Sequence, residues 1–419
     1  MKKMKEVFTI LFFSILIFIP AFLFHLIQPN WDFLAYQLNS EWFCKNGKYF
    51  EWFRPPLVPL LLCIFPNYVY LFITSFLFIL SLHLFAKKFK LKQEFFLLTT
   101  FSPLILIFSN QTGCDLIALA FLLFSFYFHP RIFSGFFYGL SLLTRYNYLI
   151  YFPLFIFKVK PKKFLLFLIF TFLTFSPWLI FNFVKLQDPF FSLKNSYEMN
   201  VARREHRFGF KTLEHFILLA FPLFLSFPSS KKFKFNKINL FFLFLLILTL
   251  LSYFQIPYKF ERFLLPAVIS ISYFTCKLTK NFKLVLILTI LISFLILFQV
   301  FESGIQDKNS VTWQDLEFLS FYLKNETCIT SNVWVILNYK KITAVPIPFP
   351  YQFDEYLEKG FVFVIHKYTE DPTYIQNQTY LSKFHRIYED QKFLIAKPYE
   401  ECKLNINKVE ISYGKLWIS

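Results

Sequence analysis

The sequence predicts a polytopic α-helical membrane protein with about 11 spans and a small α/β soluble domain at the C-terminal end. Apolar residues make up 56% of the 419 residues, and Phe alone contributes 66. Runs without any charge, such as 8–19, 71–82 and 240–251, recur through the first three quarters of the chain. A soluble protein of this size could not bury so much apolar surface.

The net charge of +18 could suggest a nucleic-acid partner, so its distribution along the chain matters. Residues 1–304 carry 31 Lys and Arg against 12 Asp and Glu, whereas residues 305–419 carry 13 against 14. The excess therefore lies between the apolar runs, where cytoplasmic loops of membrane proteins concentrate positive charge. No nucleic-acid partner is expected.

The first span is expected at 7–27, after a basic start with Lys2, Lys3 and Lys5 that places the N-terminus in the cytoplasm. It is about 20 residues long, which is enough to cross the hydrocarbon core, and it is read as a retained span. An outer loop follows at 28–56. Further spans are expected at 68–86, 94–109, 115–129, 164–183, 212–228, 238–254, 263–276 and 284–301.

The segment 132–157 could be one span or a hairpin of two short helices. With the hairpin, 19 basic residues lie on the inner side and 11 in the outer loops before residue 304, whereas a single span gives 16 against 14. Because positive charge accumulates on the cytoplasmic side, the hairpin is favoured. It completes the predicted topology of about 11 spans, in a cell membrane, with an external C-terminus.

Residues 305–419 change in character. They are polar and charged, with helical periodicity at 313–324 and short strand-like stretches at 328–330, 334–337, 361–365 and 393–396. The chain is therefore divided into a transmembrane catalytic domain at 1–304, whose outer loop carries Asp32, and an external α/β domain at 305–419. Cys328 and Cys402 both fall in the external domain and could form a disulfide.

Ionisable side chains at membrane depth are costly, so they are functional candidates by default. Asp32 and Asp115 follow or begin apolar runs at the outer face and could position and deprotonate a hydroxyl group, since carboxylates are ionised at neutral pH. Arginine side chains can hold a phosphate through paired hydrogen bonds. The candidates for that role are Arg54, Arg145, Arg262, Arg203 and Arg204.

Simpler interpretations exist for several of these charges. Arg203 and Arg204 could bind anionic lipid headgroups, and Arg145 could form a structural ion pair. Loop charges next to spans usually lie in water at the headgroups, and this is expected of Glu41, Glu51, Lys185, Lys194 and Glu205. The sequence contains no Gly-rich phosphate loop, no clustered Cys and His metal motif and no nucleophile elbow.

Six features follow one another between residues 30 and 266: Asp32 with Tyr36; Arg54-Pro55-Pro56-Leu57; Asp115; Gly135 and Gly139 with Leu140, Thr144 and Arg145; Pro177, Trp178 and Asn182 with Pro189 and Phe190; and Arg262-Phe263-Leu264-Leu265-Pro266. This order resembles the GT-C superfamily of membrane glycosyltransferases. The resemblance is to glycosyltransferase family 39, with its protein O-mannosyltransferases, the lipid A aminoarabinose transferases and the RgtA/B/C/D-like group.

The resemblance implies an inverting glycosyltransferase that takes a sugar from a polyprenyl or dolichyl monophosphate and transfers it to an acceptor hydroxyl of a protein, lipid or glycan. It also implies that Asp32 is the general base, that Asp115 assists it or orients the acceptor, and that the arginines bind the phosphate. A divalent metal ion is left open, since some GT-C enzymes use one. The second acid of the usual Asp-Glu pair is Phe33 here, and Asp188 replaces the usual Gly.

Two other functions are compatible with a polytopic chain. A transporter or lipid flippase would place charges near the middle of the bilayer and show internal repeats, neither of which the sequence shows. A non-catalytic membrane scaffold would not require both Asp32 and Asp115.

Overall fold

The computed structural model describes residues 2–156, 159–202, 210–226, 236–306, 310–326, 328–369, 373–397, 402 and 416–418. These residues form seventeen α-helices and seven strands. The helices are α1 (Lys2–Ile27), α2 (Trp31–Lys45), α3 (Leu57–Ile64), α4 (Asn67–Lys88), α5 (Gln93–Thr100), α6 (Asp115–Phe128), α7 (Phe133–Thr144), α8 (Pro161–Leu186), α9 (Phe191–Tyr197), α10 (Phe210–Ser226), α11 (Lys237–Gln255), α12 (Leu265–Leu278), α13 (Phe282–Gln306), α14 (Trp313–Tyr322), α15 (Trp334–Tyr339), α16 (Phe353–Glu358) and α17 (Gln378–Leu381). The strands are β1 (Tyr49–Glu51), β2 (Ile329–Ser331), β3 (Ala344–Pro346), β4 (Val362–His366), β5 (His385–Glu389), β6 (Phe393–Lys397) and β7 (Leu416–Ile418).

The chain divides into two compact units. Unit 1 contains Met1–Phe24 and Phe53–Phe301, and unit 2 contains His25–Trp52 and Glu302–Ser419. Most of the outer loop expected at 28–56 is therefore grouped with the C-terminal segment, although the sequence division had assigned it to the transmembrane domain.

Unit 1 is a helical membrane domain with several apolar spans. Five helices of the described ranges are long and apolar enough to cross a bilayer: Met4–Ile27, Asn67–Lys88, Pro161–Leu186, Lys237–Gln255 and Phe282–Ser303. Other expected spans are shorter helices, at Asp115–Phe128, Phe133–Thr144 and Thr212–Ser226. The expected span 94–109 is also interrupted, since α5 ends at Thr100 and a π-helical turn covers Leu104–Phe108. The total of about 11 spans and their orientation stay predictions.

The segment 132–157 breaks where the hairpin interpretation requires. Helix α7 ends at Thr144, Arg145 is extended, and a 3₁₀ helix follows at Tyr146–Phe155. The Tyr138 hydroxyl on α7 donates hydrogen bonds to the carbonyl groups of Tyr148 and Leu149, at 3.1 and 3.2 Å. The second piece therefore packs back against the first.

Two glycines of α7 allow α8 to approach closely. A Cβ at Gly135 would lie 2.3 Å from the main-chain oxygen of Phe167, and one at Gly139 would lie 2.6 Å from Cβ of Thr174. The Thr171 hydroxyl also donates a hydrogen bond to the Gly135 carbonyl at 3.2 Å. Small residues spaced four apart commonly permit this kind of contact between membrane helices.

The C-terminal part of unit 2 contains a five-stranded sheet in the order β3-β2-β4-β6-β5. β2 is parallel to both β3 and β4, whereas β6 is antiparallel to β4 and β5. The predicted strand at 334–337 is wrong, since Trp334–Tyr339 is helix α15. An α/β domain was nevertheless expected here, and a mixed α/β sheet is present.

Residues of the outer loop complete the core of unit 2. Leu34, Ala35 and Leu38 of α2 belong to the same buried cluster as the strands of the sheet. Strand β1 pairs antiparallel with β7, with Tyr49 opposite Ile418. Cys328 and Cys402 form a disulfide that links residues 74 positions apart.

Candidate active site

Asp115 is the first residue of α6 and is only 1% exposed. Asn110 anchors the turn before Asp115 to α4. Its side chain accepts a hydrogen bond from Thr74 at 2.9 Å and donates one to the Leu71 carbonyl at 3.0 Å, and both partners lie on α4. Gly113 has a φ of 73°, a conformation that side chains with a Cβ rarely adopt. Its carbonyl accepts a hydrogen bond from the Tyr70 hydroxyl. The position of Asp115 is therefore fixed before any ligand binds.

Two predicted arginines converge on this buried carboxylate. Arg145 forms an ion pair with Oδ1 of Asp115, and Nε of Arg262 lies 3.9 Å from Oδ2. The Thr112 hydroxyl donates a hydrogen bond to Oδ2 at 2.5 Å. The Arg145 and Arg262 side chains are 14% and 19% exposed, so this cluster is largely shielded from water. The carboxylate offsets the repulsion that two neighbouring guanidinium groups would otherwise have.

Aromatic rings fix the planes of both guanidinium groups. The Arg145 guanidinium carbon lies 4.9 Å from the centre of the Phe263 ring, and that of Arg262 lies 4.8 Å from Phe260 and 5.4 Å from Phe263. Such contacts are favourable, particularly away from water. These contacts restrict the rotation of the two planar guanidinium groups. Each such group can bind two carboxylate or phosphate oxygens at once.

A second buried network holds the segment that carries Arg262. His215 on α10 is 3% exposed, its Nε2 lies 3.0 Å from Oε1 of Glu261, and its Nδ1 lies 2.8 Å from the Tyr253 hydroxyl. The Lys259 ammonium group donates hydrogen bonds to the Tyr253 and Phe254 carbonyls at 2.9 and 3.0 Å. The 3₁₀ turn Glu261–Leu264 is thus tied to α10 and α11. Sequence analysis missed His215, because no motif or spacing relates it to Glu261.

Further hydrogen bonds hold Arg145, the residue after it and the end of α8, and two of the residues that form them, Trp178 and Asn182, belong to the sequence motifs. Nε of Arg145 donates a hydrogen bond to Asn147 at 3.2 Å. The indole of Trp178 donates one to the Tyr146 hydroxyl at 2.7 Å. Asn182 then connects α8 to the following loop, since its amide donates to the Pro189 carbonyl at 3.3 Å and accepts from Ser192 at 2.9 Å. The motif around Trp178 and Asn182 therefore helps to hold Tyr146, the residue after Arg145, in place.

Arg54 is also buried in unit 1, with 7% exposure. Its guanidinium carbon lies 5.3 Å from the centre of the Phe53 ring. Pro55 and Pro56 follow it, and α3 begins at Leu57 immediately afterwards. The prolines restrict the backbone after Arg54, which limits the directions that its side chain can take.

Asp32 lies in unit 2, in the first turn of α2. Asn30 caps this helix by accepting a hydrogen bond from the Phe33 amide at 3.1 Å. The neighbouring Trp31 packs edge-to-face on Trp334, with 4.5 Å between the ring centres. The Asp32 side chain is partly exposed.

Glu51 was expected to lie in water, and this expectation is wrong. It is fully buried, its carboxylate accepts a hydrogen bond from the Tyr49 hydroxyl, and its backbone bonds in both directions to the Asn39 side chain at 2.9 and 3.1 Å. Tyr49 in turn accepts a hydrogen bond from the Trp334 indole at 3.1 Å. Tyr49 and Glu51 are two residues apart in a strand, so their side chains lie on the same face. This spacing was the only feature of the sequence that indicated a contact between them.

Arg203 and Arg204, and Glu205 with them, lie outside the described residues. Within the described ranges, no group of three or more His, Cys, Asp or Glu side chains is arranged to hold a metal ion. Lys185 and Lys194 are exposed, as expected. Glu41 is only partly exposed and forms an ion pair with Lys341.

Comparison with solved structures identifies the architecture. The crystal structure of ArnT from Cupriavidus metallidurans, bound to undecaprenyl phosphate, matches the chain with a TM-score of 0.51. The match covers 94% of this chain and 98% of that chain, at 12% sequence identity.

The chain has the ArnT fold.

The fold that the sequence resemblance implied is therefore present, and the similarity to ArnT extends over both units. No family model and no curated protein matches the sequence. In this ArnT fold, the described motif residues serve two purposes: Asp115, Arg145 and Arg262 form one cluster, and the glycines, Trp178 and Asn182 hold the helices that carry it.

Proposed function

We propose that the protein is an inverting glycosyltransferase that uses a sugar linked to a polyprenyl or dolichyl monophosphate. The observation that carries this proposal is the cluster of Arg145 and Arg262 around Asp115, in a chain with the ArnT fold. The matching ArnT structure contains undecaprenyl phosphate, a lipid monophosphate. Two guanidinium groups held rigidly at one place suit a phosphate that is attached to a lipid.

In the proposed reaction, the oxygen of an acceptor hydroxyl attacks the anomeric carbon of the donor sugar. The bond between that carbon and the phosphate oxygen breaks, and its electron pair moves to the phosphate. Asp32 accepts the proton of the attacking hydroxyl. Attack from the side opposite to the leaving phosphate inverts the anomeric configuration.

The arginines stabilise the charge that develops on the leaving phosphate. Arg145 and Arg262 are the principal donors of hydrogen bonds to it, with Arg54 as a further candidate. Asp115 positions these arginines. One of its carboxylate oxygens is paired with Arg145, and the other accepts a hydrogen bond from Thr112. This assignment differs from the first expectation that Asp115 assists the base or orients the acceptor.

We propose an orientation in which the C-terminal part of unit 2 lies on the external face of a cell membrane. The disulfide between Cys328 and Cys402 supports this orientation, because disulfides persist in oxidising compartments and are rare in the cytosol. The free thiols of Cys114 and Cys276 both belong to unit 1. An external site would meet a lipid-borne donor and an acceptor outside the cell.

The test is release of radiolabelled hexose from polyprenyl-phosphate hexoses by purified protein, with and without acceptor. Asp32→Asn should reduce release about 100-fold or more, since removal of a general base commonly costs this much. Asp354→Asn, an exposed aspartate of α16 in the same unit, is the matched control and should retain full activity. Equal release by wild type and Asp32→Asn would exclude Asp32 as the base.

The second candidate function is a transporter or lipid flippase. It predicts movement of the intact lipid between leaflets with no cleavage of the sugar–phosphate bond. Absence of release from every donor, in protein with a normal unfolding transition, would favour this function over the transferase.

A further inference from the structure

The sheet of unit 2 has the topology that creates a binding crevice at the carboxyl ends of its strands. In chain order, the strands β2, β3 and β4 are parallel, and β2 lies between the other two. The connection from β2 to β3 therefore runs to one side, and β4 returns to the other side of β2. In open α/β sheets, ligands bind where the order reverses in this way, outside the carboxyl ends of the strands.

A cavity of about 430 Å³ lies at this point in the fold. β4 ends at His366, which lines the cavity together with Tyr368 and Thr369, and Val333 follows shortly after the end of β2. The volume is within the range of about 300–1,000 Å³ that is usual for small-ligand sites. The cavity is open to solvent and lies at the reversal point of the sheet, because residues at or after the ends of β2 and β4 line it.

The rim of the cavity is rigid. The Asn332 amide donates to the His366 carbonyl at 2.9 Å, and its oxygen accepts from the His366 amide at 2.8 Å, which joins the ends of β2 and β4. Nδ1 of His366 lies 2.7 Å from the Thr369 hydroxyl. Gln28 and Ser310 also line the cavity, and the Gln28 amide donates a hydrogen bond to the Ser310 hydroxyl at 3.1 Å. A preformed rim reduces the conformational entropy that the protein loses when a ligand binds.

The chemistry of the lining selects the class of ligand. Trp31 and Tyr368 provide aromatic surface, while Gln28, Ser310 and Thr369 provide hydrogen-bonding groups. None of the described lining residues is Lys, Arg, Asp or Glu. Aromatic surface combined with neutral polar groups fits a neutral ligand rich in hydroxyls, because sugar rings have both apolar C–H faces and hydroxyl groups.

We propose that this cavity binds a neutral hexose of the glycosyl acceptor. The inference rests on the proposed function, because Trp31 in the cavity wall directly precedes Asp32, the proposed base. An acceptor sugar held against Trp31 would present its neighbouring hydroxyl groups close to the start of α2. The cavity thus selects the acceptor, while the arginine cluster binds the donor phosphate.

Saturation-transfer NMR on full-length protein in nanodiscs tests this proposal, with methyl α-glucoside, methyl α-galactoside and methyl α-mannoside as probes. Wild type should bind at least one of them. Tyr368→Ala should weaken that binding about tenfold or more, since truncating an aromatic contact commonly has this effect. Tyr368 is 47% exposed, so the variant should fold. Tyr351→Ala is the matched control, because Tyr351 is 77% exposed in the same unit and is not part of the cavity wall.

A second pair of variants removes only one hydroxyl. Thr369→Val should weaken hexoside binding, whereas Thr379→Val, at an exposed threonine of α17, should leave it unchanged. Displacement of the bound hexoside by a hexosyl-diacylglycerol in the nanodisc would identify a lipid-borne sugar, and no displacement would identify a soluble one. Lack of binding of all three hexosides to wild type, in the presence and absence of donor, would overturn the proposal.

Donor hydrolysis measured on the same preparations separates this inference from the proposed function. Hydrolysis without any hexoside binding would remove the cavity from the mechanism and leave the transferase intact. Hexoside binding without hydrolysis would remove the acceptor role and with it the proposal as stated.

Discussion

At the scale of single residues, Arg262 owes its position to its neighbours. Phe260 and Phe263 contact its guanidinium group, Glu261 before it is held by His215, and Asp115 lies opposite its Nε. A guanidinium group can bind two phosphate oxygens at once, whereas an ammonium group acts as a point charge. The shape of this side chain should therefore matter as much as its charge.

Arg262→Lys should consequently lower kcat/KM for the polyprenyl-phosphate sugar about ten- to 100-fold, because charge-assisted hydrogen bonds are worth about 1.5–3 kcal/mol. Initial rates at several donor concentrations would measure this loss. Arg386→Lys, at an exposed arginine on β5 that pairs with Glu389, provides the control and should leave kcat/KM unchanged. Full activity of Arg262→Lys would show that a simple positive charge suffices.

The residues of the cluster could be predicted because charges are rare and costly in apolar surroundings. Asp115, Arg145 and Arg262 each stand out in this way from the apolar sequence around them. His215 and Glu51 were not predicted. Histidine is not strongly marked by its surroundings, and Glu51 lies in a loop that was expected to be in water, although the residues next to it are aromatic. Their burial depends on partners that only the fold brings together.

At the scale of elements, apolar length predicted most helices of unit 1, because the thickness of the hydrocarbon core sets the length of a span. Interruptions inside apolar runs were harder to predict. The run at 94–109 breaks around Pro103, and the piece after Arg145 winds as a 3₁₀ helix. Hydropathy does not distinguish these local changes of winding, since the side chains are apolar throughout.

The contact between α7 and α8 leads to a prediction about stability. Gly135→Ala would place a methyl group against the main-chain oxygen of Phe167, which cannot move without shifting α8. The expected cost is about 1–3 kcal/mol, as for other overpacked sites. A lower midpoint of thermal unfolding in detergent would reveal it. Phe136→Leu alters an exposed neighbour on the same helix and should leave the midpoint nearly unchanged. An unchanged midpoint for Gly135→Ala would mean that the helices separate easily.

At the scale of the whole molecule, the division into two units followed only partly from the sequence. The change of composition near residue 304 predicted one boundary. The inclusion of His25–Trp52 in unit 2 depends on α2 packing with strands almost 300 residues away, and no local pattern encodes such a pairing.

The proposed orientation can be tested with a membrane-impermeant maleimide on intact cells. A cysteine introduced as Ser382→Cys, at an exposed position of unit 2, should react without permeabilisation. One introduced as Gln93→Cys, beside the predicted inner cluster Lys87–Lys92, should react only after permeabilisation, because the reagent cannot cross the bilayer. Protein without an added cysteine measures the background. The reverse labelling pattern would place unit 2 in the cytoplasm.

The pairing of β1 with β7 also sets a time for assembly. Glu51 and its strand partner Leu416 are separated by 365 residues, and a ribosome adds about 5–20 residues per second, so the partner is synthesised about 20–70 s after the loop. During that interval, the loop that carries Asp32 is already outside the ribosome but lacks one of its two strands. A nascent chain therefore cannot have this loop in its final form, and full activity should begin only after β7 has been translated.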